Sequence, residues 1–298
     1  MKTTLLTFVA LALLMAPAAV AQVNADLYVI PVAGHTPGAF GSMWMSDVAI
    51  QNFSSTALNA ELVFIEAGEG NNDNVFPLVA PSQSSSQVTV PAGGNVLLRD
   101  VVGEVRETGV IGAILIGSDR PFAVTSRSYS MSPAGDTVGQ TVPPVRDFID
   151  NSLGTTNNAT AIAYVPGLIS NTRFRTNLGF VAGNTSLQPM VIEVMIRDGA
   201  GAAIGTRQFV VQSGSFTQLQ FTAQSVTGNR SFEIGGAEFR IRAGNGAVVP
   251  YASVIDNTTA DAVFVAGQFP ANAVAAGKGS FGSDRSVFRE LFDRFHHY

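Results

Sequence analysis

Histidine is the side chain most often recruited to move protons near neutral pH, and this 298-residue chain has three of them and no cysteine. His35 falls in a glycine-bearing stretch that reads as a loop; His296 and His297 are adjacent near the carboxyl end. Adjacent histidines lack the spaced third ligand that a zinc site requires, so no metal site is read there. Ser42, Ser46, Asp47 and His35 are the residue types of a hydrolytic triad. Ser46 and Asp47, however, are neighbours on a predicted strand and so face opposite ways, and no Gly-x-Ser-x-Gly elbow accompanies them. Paired carboxylates for glycoside hydrolysis would have to come from Asp47, Glu61, Glu66, Glu193 or Asp198. Glu61 and Glu193 instead hold matching places in two similar stretches, on an outward strand face. The chain therefore reads as non-enzymatic, with no cofactor and no metal.

Binding chemistry is better represented. Gly68 to Asn74 is rich in glycine and side-chain oxygens but lacks the alternating acidic spacing and closing glutamate of a calcium loop, so it reads as a solvated hairpin tip. Arg127 and Tyr129, two apart on a predicted strand, share an outer face where a guanidinium beside a phenol can recognise a carboxylate. The expected ligand-binding set is His35, Phe40, Asn72, Asp73, Arg127 and Tyr129. Trp44, the sole tryptophan, alternates with Val48 and Ile50 and is expected in the core. Asn-x-Ser/Thr triplets begin at Asn52, Asn158, Asn184, Asn229 and Asn257, as chance would place them in a chain rich in these residues.

The elements that must hold these residues are strands. Hydrophobic residues make up 46% of the chain and charged residues 13%, with 30 glycines and 14 prolines, a balance that favours a turn-rich, well-buried β protein. The formal net charge of −5 argues against nucleic acid as partner. Two stretches say nearly the same thing. Tyr28-Val29-Ile30-Pro31 is answered by Tyr164-Val165-Pro166, Trp44 to Val48 by Phe174 to Leu178, and the closing Gly139-Gln140 by Gly267-Gln268. Apolar residues alternate within each stretch, the period of strands with one buried face. Antiparallel β-sandwiches of about seven strands are the expected fold of each.

The expected organisation is a signal peptide over 1–21, a β-sandwich domain over 26–146, a polar linker over 147–160, a second β-sandwich domain over 161–270, and a tail over 271–298. Met1-Lys2, the apolar run Leu5 to Met15 and Ala19-Val20-Ala21 carry the signal-peptide features. Phe288, Leu291, Phe292 and Phe295 stand at helical spacing in the tail. No later stretch is long and apolar enough to cross a bilayer as a helix. The first stretch carries six extra residues near Gly34 to Ser42 and eleven more between Gly68 and Gln87, where binding loops are expected.

Gly38 to Val48 (Gly-x-Phe-Gly-Ser-Met-Trp-Met-Ser-Asp-Val), Val90 to Gly94 (Val-Pro-Ala-Gly-Gly) and Ser126 to Tyr129 (Ser-Arg-Ser-Tyr) together resemble uncharacterised secreted bacterial proteins built from tandem β-sandwich modules. The chain is also similar to the small sandwich of the sensory rhodopsin transducer family, though no motif carries a function across. The resemblance implies a binding or structural module and supplies no active-site residues. The second stretch departs from the pattern, with Asn177 for aspartate and no tryptophan, so a shared site is expected only in the first. The expected function is that of a secreted or periplasmic binding or adhesion module for a protein or glycan surface ligand. The alternatives are a self-associating surface or filament subunit and, last, a hydrolase.

Overall fold

The computed structural model describes residues 27–268 apart from 39–40, 69–74, 78–86, 105–108, 119, 133, 146–148, 151–161, 185–186 and 245. The predicted signal peptide, the tail with its helix, and nearly all of the predicted linker lie outside the described residues. The strands of the first half are β1 Leu27–Pro37, β2 Met43–Asn52, β3 Leu58–Glu66, β4 Val75–Pro77, β5 Gln87–Val90, β6 Asn95–Leu98, β7 Val110–Ser118, β8 Phe122–Met131 and β9 Thr137–Thr141. The second half contributes β10 Ile149–Asp150, β11 Ile162–Ser170, β12 Phe174–Gly183, β13 Met190–Asp198, β14 Ala203–Val211, β15 Phe216–Thr222, β16 Phe232–Ala243, β17 Ala247–Asp256 and β18 Ala262–Ala266. The protein is all-β and its strands pair antiparallel, with one short helix, α1 Ala223–Thr227, among the described residues.

In the first half the strands join in the order β4-β3-β7-β1-β2-β8-β9, with β5 also on β3 and β6 on β2. This continuity depends on β1: its early residues pair with β7, while Thr36 and Pro37 pair with β2, after a bulge between Ile30 and Ala33. A bulged strand bends, so the sheet folds over β1 into an inner wing (β3, β4, β5, β7) and an outer wing (β2, β6, β8, β9). Their facing side chains, including Ile30, Val48, Ile50, Phe64, Ile114 and Ile116, form one core. The second half pairs a five-stranded sheet, β10-β17-β12-β15 with β18 on β17, with a four-stranded one, β11-β16-β13-β14. Leu178, Phe180, Ile192, Val194 and Phe239 lie in the core between them. There Phe180 meets Phe209 and Phe239 edge to face.

Alternation builds both cores as predicted: Ser46, Val48 and Ile50 are buried in β2, and Thr176, Leu178 and Phe180 in β12. Other runs do not alternate. Leu62 to Ile65 in β3, Ala113 to Ile116 in β7, Leu178 to Gly183 in β12 and Ala247 to Asp256 in β17 are buried at every residue, because the inner wing and the five-stranded sheet are covered on both faces over these stretches. The second face of the inner wing, with Val29, Val63, Ile65, Ala113 and Leu115, packs on Val181, Phe216, Ala247 and Val249 of the five-stranded sheet. The layers therefore run outer wing, inner wing, five-stranded sheet, four-stranded sheet. A backbone seam reinforces the middle contact. Ala67 bridges Gln218, the Gly68 amide donates to the Gln218 carbonyl at 3.0 Å, and the Thr217 hydroxyl donates to the Gly68 carbonyl at 2.7 Å.

The same polar contacts recur in the two halves. Asn52 ends β2 and Asn184 follows β12, both fully buried. The Asn52 amide nitrogen donates to the carbonyls of Thr56, Val90 and Pro91, and that of Asn184 to those of Gln188, Val211 and Gln212. Both are thereby committed to holding turns, so these two glycosylation triplets are closed to a glycan. Likewise Gln87 donates to Glu61 and Gln208 to Glu193, across matching strand pairs.

Two expectations about these elements need correction. His35 lies within β1, opposite Val110, and not in a loop, because the bulge lets the strand continue. Ile149 and Asp150, placed in the linker, pair with β17 as β10. Helix α1 was not anticipated. Its signals are local: the Thr222 hydroxyl caps the Ser225 amide, and Gly228 ends the helix at φ 65°, the left-handed region that glycine occupies without cost.

Candidate functional site

Of the expected ligand-binding residues, the structure brings His35, Arg127 and Tyr129 into one neighbourhood, while Phe40, Asn72 and Asp73 lie outside the described residues. Two charged side chains that sequence reasoning passed over tie this neighbourhood together, Asp100 and Arg99. The His35 Nδ1 and Asp100 Oδ2 are 2.7 Å apart. A carboxylate only accepts, so Nδ1 carries the proton. Asp100 sits in the turn after β6 at φ 43°, a conformation a non-glycine residue holds only when its surroundings impose it. What imposes it is visible: its amide donates to Asp47 Oδ1 at 2.9 Å, and its Oδ1 accepts from the Gly103 amide.

Asp47 in turn accepts from the Tyr129 hydroxyl at 3.2 Å, and Arg99 stands 3.9 Å from its other oxygen. Burial and then the neighbouring Asp47 carboxylate push the Tyr129 phenol above its ordinary pKa. The Arg127 guanidinium lies 4.9 Å from the centre of the Tyr129 ring and donates to Thr137. His35 with Asp100 and Arg99 with Asp47 thus satisfy one another, while Arg127 lies over the Tyr129 ring. This patch stitches β1 to the β6–β7 connection and to β8. It is not a triad: the Ser46 hydroxyl is buried, accepts from the Gly34 amide at 3.0 Å, and shares a hydrogen bond with Ser128.

The concave surface lies elsewhere. A cavity of about 320 Å³ opens between the two halves, lined from the first half by Trp44, Ser128 and Gln140 and from the second by Arg175, Asn177 and Gln220. A second, of about 470 Å³, adjoins it, and both share Ile111, Asn177 and Gln220. Trp44 is half-buried and absent from the core clusters, which corrects its expected place. It stands near the start of β2, beyond the reach of the core. Gly38 presses against its edge: a β-carbon there would lie 2.7 Å from Trp44 Cδ1 and 2.9 Å from Nε1, so glycine is required for the indole to sit where it does.

Register explains why this cavity exists. On one face of the five-stranded sheet, Asn177 pairs with Ser253, Gly179 with Tyr251 and Gln220, and Val181 with Val249 and Gln218. The apolar end of that face is consumed by the contact with the inner wing; the polar end lines the cavity, which Ile111 of the inner wing also borders. Tyr251, fully buried, lies across Gly179, where any β-carbon would fall 2.4 Å from its ring. Burial raises its phenol far above the ordinary value, although the hydrogen bond with Gln218 works the other way. Among the described residues, the amides of Asn177 and Gln220 make no side-chain hydrogen bond. Gln140 accepts from Ser253 at 3.1 Å across the halves.

No family model matches the chain and no curated protein matches it. Among solved structures, T=1 particles derived from infectious bursal virus are 11% identical, with 86% of this chain and 80% of that chain covered at a TM-score of 0.20. A mutant VP2 protein of infectious bursal disease virus, also as T=1 particles, is 10% identical over the same shares at a TM-score of 0.19. Likeness at that level carries no argument.

Proposed function

We propose that this chain is an exported, non-enzymatic binding module made of two tandem β-sandwich domains, 26–146 and 161–270, that binds a protein or glycan surface ligand outside the cytoplasm. The observation that carries this reading is the cavity between the halves. A concave, mixed polar and apolar site at a junction of folded units is where small ligands are usually held. The seam from Ala67 and Gly68 to Thr217 and Gln218 fixes the two walls relative to one another, so the site is preformed. The polar groups best placed to act as acid and base, His35 and Asp100, are spent on each other.

The test fills the cavity without touching either core. Gln220 is half-buried and lines both concavities, so Gln220→Trp should leave the melting temperature within a few degrees. Binding of the labelled chain to cell surfaces and to immobilised glycans and proteins should fall at least tenfold. Undiminished binding by a folded Gln220→Trp variant would remove the cavity from the reading.

A further inference from the structure

We infer that the cavity between the halves takes a carboxylated sugar, a hexuronate-type residue of an acidic glycan, with Trp44 as its stacking surface and Arg175 as its charge partner. The inference rests on the binding-module reading and adds the ligand class. Charge is the first observation. The chain as a whole is negative, at −5, yet no aspartate or glutamate lines this cavity and Arg175 is its one charged residue. Arg175 is half-buried, and its Nη1 donates at 2.7 Å to the neutral side-chain oxygen of Asn257. Its positive charge is therefore oriented but not neutralised, the state that favours a carboxylate with its two acceptor oxygens.

The second observation is the pair of idle amides. Asn177 and Gln220 each present one acceptor and two donors, and both lie on the cavity face of the five-stranded sheet. Vicinal sugar hydroxyls, which donate and accept alternately, match that arrangement. A phosphate, which only accepts, leaves the amide oxygens unused. The third is the indole. Gly38 packs against one edge of Trp44 and holds the ring at the cavity wall, giving an apolar surface beside polar groups, as a pyranose ring needs. A volume of about 320 Å³ is at the small end of ligand sites and suits the end of a glycan better than a protein loop.

Trp44 is the only tryptophan, so selectively excited tryptophan emission reports on this cavity alone. Titration of the full-length chain with a dihexuronate should shift the emission saturably, while the matching neutral dihexose at equal ionic strength should bind at least tenfold more weakly. Arg175→Gln should erase that preference, and Asn177→Ala should weaken both sugars about tenfold, with melting curves showing each variant folded. Isothermal titration with Trp44→Ala, which has no tryptophan, should show dihexuronate affinity lost. A neutral sugar that binds as tightly as the acidic one would overturn the acidic class. Emission that moves with acetate or an acidic peptide but with no sugar would overturn the sugar and spare the binding module. If nothing moves the emission and the chain also fails to bind any surface in the Gln220→Trp comparison, both readings fall.

Discussion

The pair Asp47–Arg127 on β2 and β8 and the pair Asn177–Ser253 on β12 and β17 hold the same cross-strand place in the two halves, and they differ in charge because they differ in cover. The first looks outward, where Asp47 takes up Tyr129, Arg99 and the Asp100 amide. The second faces the other half, and neutral groups stand in both places. The other faces show the reverse. Val63 and Leu115 on the inner wing are apolar and buried between halves. The matching Met195 and Glu238 lie on the outer face of the four-stranded sheet, where Arg197 and Arg240 hold Glu238 at 2.7 Å and 2.5 Å. One strand plan thus serves two environments, and the environment selects the charge. What the second half loses at Asn177 is a surface ion pair; what it retains is a polar wall for the cavity.

The sharpest way to break this comparison is to give the buried face the character of the exposed one. Leu115→Asp places an unpaired carboxylate in the contact between halves and should cost about 3–5 kcal/mol in urea unfolding. The two halves keep separate cores, so unfolding should split into two transitions. A single cooperative loss of the whole chain would show that the halves are not separable units. A smaller effect tests the likeness of the halves directly. Asn52→Ala and Asn184→Ala each remove a fully buried amide that holds three carbonyls, one of them on a buried residue (Val90 or Val211), and should each cost about 2 kcal/mol. Costs that differ more than threefold would mean the two asparagines do different jobs.

The smallest effect concerns pH. Hydrogen bonds from Arg242 hold the Glu193 carboxyl below its ordinary value, against burial. Burial opposes ionisation of Glu238, but hydrogen bonds from Arg197 and Arg240 outweigh it, and its carboxyl is also lowered. A lowered carboxyl contributes stability that is complete above the unfolded value of about 4.3 and is lost as pH falls through the folded value. These arginines are partly exposed, so the loss should be about 1 kcal/mol or less per pair. Amide exchange in β13 and β16 should therefore quicken below pH 4.3 before that in β7, which carries no charged residue. Arg242→Gln should flatten the difference.

Much of this was legible in the residues, for a physical reason. Strand identity follows from period-two burial, which is local, so Ser46-Val48-Ile50 and Thr176-Leu178-Phe180 announced their inward faces. The unbroken apolar runs Leu62 to Ile65 and Ala113 to Ile116 also carried a signal, that of strands covered on both sides, and it went unread beside the alternation around it. Helix α1 had its cap residues in plain order. Arg127 and Tyr129 were rightly placed on a shared face, but their partners Asp47, Arg99 and Asp100 come from separate elements and left no mark in sequence spacing.

By itself, then, the sequence determined that this is a β protein without cysteine and low in charge, because composition and periodicity act residue by residue. Only the tertiary structure decided which of four outer sheet faces would be buried against another. That choice depends on how β1 bends and how the halves meet, and it turns Trp44 from an expected core residue into a cavity wall and brings it together with Arg175, 131 positions away along the chain.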